Sequence, residues 1–243
     1  MIIANNTILI TGATSGIGHE LVRQLYKFNK LIVVSGNSSN LEKLRTDYPG
    51  ITVITCDLGK MNSVKQLISR CLDEFPQLNI LINNAAIQNN YSFLCEKDGF
   101  DKIENEIAIN LVSPLFLIYG ILPLLMKNDN AAIVNISSGL AFSPKASAPV
   151  YCGTKAAIHN ITRALRYQLE NTKVKVFEII PPLVDTPLAK QSNKTKISPK
   201  QLVDEFLSDF KKDKMESNIG KIKFLRILLR LAPGFADSLL KRG

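Results

Sequence analysis

The chain has 243 residues, of which 46% are apolar, 21% charged and 7% aromatic. That length buries one large core, and the balance excludes a disordered, fibrous or disulfide-stapled chain, so one soluble α/β domain over residues 1–243 is expected. The net charge of +9 is uneven: residues 188–243 carry 13 Lys/Arg against 6 Asp/Glu, a surplus of 7, whereas residues 1–187 carry 17 against 15. An electrostatic partner would therefore have to meet the C-terminal quarter.

An apolar run starts at Thr7. It leaves no room for a secretory leader, and a cytoplasmic location is expected. Short β-branched runs predict strands at Thr7–Thr11, Leu31–Ser35, Thr52–Thr55, Ile80–Asn83, Ala132–Ser137 and Val174–Ile180. Between them, helical periodicity falls near Gly16–Phe28, Leu41–Tyr48, Met61–Phe75, Phe100–Met126 and Val150–Asn171. This alternation predicts a doubly wound, Rossmann-like parallel sheet flanked by helices, with its ligand at the carboxyl ends of the strands. Ile107–Met126 carries no charge over 20 residues, the length of a membrane span. Asn110, Pro114 and Pro123 interrupt it, and a helix inside a large sheet protein is also apolar all round, so a buried helix is expected. Ala189–Lys200 is polar and reads as a mobile loop over the site.

The cysteines, Cys56, Cys71, Cys95 and Cys152, have no zinc-like spacing and read as reduced thiols. His19 and His159 are too few and too far apart to suggest a metal, and none is expected.

After the first strand comes Thr11-Gly12-Ala13-Thr14-Ser15-Gly16-Ile17-Gly18, leading into an amphipathic segment. Glycines allow a sharp turn and close approach to a pyrophosphate, which the free amides of the next helix would meet. Gly12, Thr14, Ser15, Gly16, Ile17 and Gly18 are therefore cofactor-binding candidates. At the end of the second strand, Ser35-Gly36-Asn37-Ser38-Ser39 contains no acid to hold a ribose 2′-hydroxyl. Gly36 leaves space, and Asn37 and Ser38 offer donors, so NADP(H) is favoured over NAD(H). These residues would equally cap a helix beginning near Leu41, a role open to Ser39 or Asn40.

Tyr151 and Lys155 are four apart in a helical segment, hence on one face. A neighbouring ammonium favours the phenolate, so the pair can shuttle a proton. Thirteen residues before Tyr151, at the end of a strand, Ser138 can hydrogen-bond a carbonyl oxygen.

With these residues in place, the stretch from Thr7 to about Thr186 resembles the classical short-chain dehydrogenase/reductase family. Its Ser137–Phe142, Pro149–Cys152 and Pro181-Pro182 look most like the DltE-type branch of bacterial oxidoreductases. The resemblance implies an enzyme transferring hydride between NADP(H) and a small-molecule carbonyl/alcohol pair, with Tyr151 as acid/base and Ser138 orienting the oxygen. It implies that Lys155 holds the nicotinamide ribose and lowers the Tyr151 pKa, and that Asn110 positions a proton-relay water. It also implies that Asp57, beside Leu58, meets the adenine, that Asn84 and Ala85 belong to a strand-stabilising motif, and that Pro181, Val184 and Thr186 approach the nicotinamide. Pro182 and Ala86 replace the usual glycines. Assembly as a homodimer or homotetramer through apolar helices such as Ile107–Met126 is a further implication.

Beyond residue 187 the chain reads as a substrate loop and a basic amphipathic tail, with a helical tail expected in place of the family's last strand. In Ile219–Leu231, Lys223, Arg226 and Arg230 form a narrow stripe beside a broad apolar arc. Such a segment suits packing on its own subunit, which is favoured, or peripheral membrane contact. Nucleic-acid binding is not expected, as no recognition motif or aromatic platform is present. The rival to an active enzyme is a cofactor-binding regulatory or scaffold protein with little turnover, because fold alone never proves chemistry.

Overall fold

The computed structural model describes the chain except Tyr91 and residues 95–98, 191–192 and 242–243. Among the described residues, seven strands run in chain order as β1 Thr7–Thr11, β2 Lys30–Ser35, β3 Thr52–Thr55, β4 Ile80–Asn83, β5 Ala131–Ile136, β6 Val174–Ile180 and β7 Glu216–Asn218. They form one parallel sheet in the order β3-β2-β1-β4-β5-β6-β7. The winding direction reverses between β1 and β4, so their carboxyl ends, Thr11 and Asn83, flank the crevice where such sheets bind ligands.

The strands are apolar at nearly every position because both faces are covered. On one face, Ile8, Ile10, Ile80 and Ile82 pack against Leu21 and Val22 of α1 (Gly16–Leu25) and against Leu202, Val203 and Phe206 of α7 (Pro199–Lys211). On the other, Leu9, Leu81 and Ile133 meet Val64 and Leu67 of α3 (Met61–Glu74) and Leu117 and Ile121 of α5 (Ser113–Leu125). The remaining helices are α2 (Ser38–Asp47), α4 (Gly99–Ile107), α6 (Pro149–Gln168), α8 (Ile222–Leu231) and α9 (Pro233–Lys241).

Three expectations need correction. The helical C-terminal end is present, but it does not replace the last strand. Glu216–Asn218 pairs in parallel with Glu178–Ile180 before the tail begins. Three polar residues at a sheet edge carry no alternating apolar signal by which to find them. Second, the long apolar segment is not buried all round. Leu117, Ile118, Ile121, Leu124 and Leu125 face the core, while Tyr119 and Met126 are exposed. Third, α2 starts at Ser38, not near Leu41, because the Asn37 side chain is its cap and accepts from the Asn40 amide at 3.0 Å. The helix α7 is an addition, since no helix was expected between Thr186 and the tail, whereas α8 and α9 form the helical tail. Cys56, Cys71 and Cys152 are free and buried, and Cys95 lies outside the described residues.

Candidate active site

The turn after β1 is shaped by contacts that only glycine tolerates. A Cβ on Gly18 would stand 2.2 Å from the Gly12 carbonyl oxygen, and one on Gly12, at φ +65°, would stand 2.8 Å from the Ala85 Cα. Gly16 has φ +53° and packs against Thr186, bringing the segment after β6 onto the turn. Asn84 ties the crevice walls together: its Nδ2 donates to the Thr11 and Gly12 carbonyls at 2.8 and 2.9 Å. The Thr11 hydroxyl accepts from the Asn84 and Ala85 amides at 3.1 Å. Ser15 makes no side-chain cap on α1, so the first-turn amides face the crevice as anion donors.

The crevice holds about 330 Å³. Gly12, Thr14, Ser15, Gly16 and Ile17 form its floor, and Asp57, Leu58, Asn84, Ala85 and Thr186 its walls. Ser35, Cys56, Ile87, Ile109, Pro187 and Leu188 also line it. Sequence reasoning missed Cys56 and Ile109, although Cys56 follows a strand end and Ile109 adjoins Asn110. Of the candidates, Gly18 shapes the turn from beneath. Asn37 and Ser38 do not line the wall, because the Asn37 oxygen is occupied by the α2 cap and the Ser39 hydroxyl. Pro181 accepts the Gly139 amide at 3.0 Å, and Val184 is buried and bridged to Ile197.

No acid stands at the end of β2, where Ser35 and Gly36 meet the crevice. Asp57, at the end of β3, is engaged by the Gly59 amide at 3.0 Å and by Lys60 at 3.4 Å. The glycine floor and open amides fit a dinucleotide, and the end of β2 presents no acid to its ribose.

Beside this crevice, α6 carries Tyr151 and Lys155 one turn apart, and both are buried. Ser138, just past β5, accepts the Leu140 amide at 3.1 Å, and its hydroxyl is hydrogen-bonded to the Tyr151 phenol. Lys155 Nζ donates to the Ile136 carbonyl at 2.8 Å and lies 5.6 Å from the centre of the Tyr151 ring.

The electrostatics differ from expectation. Burial raises the Tyr151 pKa above the ordinary phenol value, with the Ser138 hydrogen bond opposing it. Burial likewise lowers Lys155 to about 8. The expected depression of Tyr151 by Lys155 is therefore not found in this structure. Desolvation outweighs a cation that is itself poorly solvated and directed at Ile136.

Asn110 sits in a π-helical turn, Ala108–Val112, between α4 and α5, the kind of irregularity often found at functional sites. Its Oδ1 accepts the Ile87 amide at 2.9 Å, while its Nδ2 donates to the Ile87 carbonyl at 2.8 Å and the Thr154 hydroxyl at 3.4 Å. It thus satisfies the backbone of the segment after β4, not of its own helix. One turn earlier, the buried Glu106 accepts the Asn89 amide at 3.1 Å, and burial raises its pKa. Glu106 escaped sequence reasoning, and its signal was only the spacing of four before Asn110.

Comparison with known proteins covers most of the chain. A family model described as short chain dehydrogenase matches residues 6–197. An uncharacterised oxidoreductase of Bacillus subtilis strain 168, DltE, is 38% identical over 236 residues, which is 93% of this chain and 92% of that protein. An uncharacterised oxidoreductase of Staphylococcus epidermidis is 30% identical over 185 residues, spanning 75% of this chain and 79% of its own length. Among solved structures, a short chain dehydrogenase from Burkholderia cenocepacia J2315 in complex with NADP superposes with a TM-score of 0.87 at 23% identity, covering 99% of both chains. One from Burkholderia phymatum in complex with NAD gives 0.83 at 16% identity over 100% of this chain and 98% of that one.

Proposed function

The chain belongs to the short-chain dehydrogenase/reductase family, close to its DltE-type oxidoreductases, and we propose that it reduces a carbonyl or oxidises the matching alcohol with NADP(H). The observation that carries this reading is the convergence of the Tyr151 phenol, the Ser138 hydroxyl and Lys155 beside the glycine-floored crevice.

Bound in that crevice, NADP(H) supplies or accepts the hydride. The amides at Ser15–Gly18 and the side chain of Thr14 would hold its pyrophosphate, and Asp57 and Leu58 its adenine. Val184 and Thr186, beyond Pro181, would face the nicotinamide. In reduction, Tyr151 Oη passes its proton to the carbonyl oxygen, and Ser138 Oγ donates a hydrogen bond that orients that oxygen. Lys155 Nζ would turn from the Ile136 carbonyl to the nicotinamide ribose, adding positive charge beside Tyr151. Asn110, fixed through Ile87 and Thr154, would hold a water that returns a proton towards Lys155. Oxidation reverses each transfer, with Tyr151 accepting the alcohol proton.

The preference for NADP(H) rests on Gly36 and the acid-free end of β2, while related folds carry either NADP or NAD in their complexes. The exposed apolar residues Phe100 and Tyr119 on α4 and α5 support a homodimer or homotetramer formed through those helices in the cytoplasm. Fluorescence titration with NADPH and NADH, followed by a carbonyl screen with Tyr151→Phe as control, tests the reading. Full turnover in that variant would overturn it.

A further inference from the structure

The loop that carries Ser138 to Tyr151 has little regular structure of its own, only a short 3-10 turn at Gly139–Ala141. What holds it comes from elsewhere. Beneath its start, the Ser137 hydroxyl donates to Glu178 Oε1 at 2.5 Å, and this fully buried carboxylate also meets His159 Nδ1 at 2.9 Å, one turn beyond Lys155 on α6. The His159 ring stands edge-on to Phe142 at 4.8 Å between centres. Phe142 also carries the guanidinium of Arg226, 4.7 Å from the ring centre. Arg226 is in turn fixed by Glu216 of β7 at 2.5 Å.

The rest of the tail grips the same loop. Ile222 of α8 packs so closely on Gly139 that a Cβ there would lie 2.5 Å from the Ile222 Cδ1. Asp237 of α9 accepts the Ser143 hydroxyl at 2.6 Å, and the Lys241 carbonyl accepts the Ala146 amide at 3.0 Å. His159, Glu178 and Glu216 lie close enough together to suggest a cation site. However, Arg226 on Glu216 and Arg166 at 3.8 Å from Glu178 already neutralise the two carboxylates. The cluster therefore serves to tie elements together.

We propose that the basic tail, which lies outside the residues matched by the family model, is a positioning device for the catalytic loop, and that Arg226 is its positioning residue. By stacking on Phe142 while anchored to β7, Arg226 fixes the loop four residues after Ser138 and so sets where the Ser138 hydroxyl stands against Tyr151. An Arg suits this place because its planar guanidinium can stack on a ring and pair with a carboxylate at once, which an ammonium cannot. The charge of the tail thus has an intramolecular use.

The test compares the full-length protein with Arg226→Ala and Arg226→Lys by amide hydrogen exchange, NADPH titration and steady-state kinetics. In Arg226→Ala, amides of residues 139–148 should exchange about tenfold faster or more, because the loop loses its anchor. NADPH affinity should stay unchanged, since neither Phe142 nor Arg226 lines the crevice, while kcat falls ~10- to 100-fold. Arg226→Lys, which keeps the charge opposite Glu216 but not the stacking, should fall between. Asp237→Ala, at an exposed residue, releases Ser143 independently and should quicken the same amides; it decides the matter if Arg226→Ala fails to fold. Wild-type exchange at 139–148, or a loss of NADPH affinity matching the loss of kcat, would overturn the proposal. Only the kinetic arm rests on the reductase reading. If the wild type turned over no carbonyl, that reading would fail, while the exchange result would still decide the role of Arg226.

Discussion

Lys155 Nζ donates to the carbonyl of Ile136 at 2.8 Å, two residues before Ser138, so the α6 lysine and the end of the strand that leads to Ser138 are joined by a buried charged hydrogen bond. This bond tethers the helix to the strand end. It also keeps a cation in a place where burial opposes its charge.

The first prediction follows from that burial. The unfolded chain holds the Lys155 proton up to about pH 10.5, the folded chain only up to about 8. Stability therefore rises with pH between those values, and the full burial cost, about 3 kcal/mol, is present below pH 8. Lys155→Met removes this cost but leaves the Ile136 carbonyl without its donor, an offset of about 1–2 kcal/mol. The cofactor-free variant should thus unfold at a higher temperature than wild type at pH 7, by about 1–2 kcal/mol of stability. The gap should shrink as the pH rises from 8 towards 10. Thermal melts across that range provide the measurement, and a gap independent of pH would contradict it.

Tyr151→Phe should lower kcat by at least ~10²-fold, the scale of a lost general acid. NADPH titration should be unaltered, because the phenol lies beside the crevice and does not line it. A parallel loss of cofactor affinity would mean that Tyr151 serves binding, not proton transfer.

In Gly18→Ala two effects oppose each other. Alanine is a better helix former by about 1 kcal/mol. Its Cβ, however, would stand 2.2 Å from the Gly12 carbonyl oxygen, a backbone atom that cannot swing aside. Such overpacking costs about 1–3 kcal/mol or more. The clash should win, giving a lower melting temperature and an NADPH affinity reduced about tenfold or more. Calorimetry and fluorescence titration read the two effects separately.

Gly36→Asp should weaken NADPH binding about tenfold or more relative to NADH, because a carboxylate there repels a 2′-phosphate and accepts from ribose hydroxyls. The site has room, the nearest atom to an added Cβ being the Cys56 carbonyl oxygen at 3.7 Å. An unchanged ratio of the two affinities would show that the 2′ position of the ribose lies elsewhere.

Most of this protein was legible before its fold. The β-branched runs located six strands, and four of them, Thr7–Thr11, Thr52–Thr55, Ile80–Asn83 and Val174–Ile180, have the bounds expected. Their physics is local: strands buried on both faces must be apolar throughout, and glycines must stand where a backbone turns against another. The spacing of Tyr151 and Lys155, with Ser138 upstream, could likewise be read from the sequence, whereas Asn110 stood out only through the family resemblance. Tertiary structure alone decided the rest. Glu216–Asn218 is a strand because Glu178–Ile180 offers it an open edge, and its own residues do not announce it. The pKa values of Tyr151 and Lys155 depend on how completely α6 is covered, a property of the packed molecule that no spacing encodes. The basic stripe of the tail could be seen in the sequence, but its meeting with Phe142 could not, because side chains more than eighty residues apart meet only when the sheet and α6 bring them together.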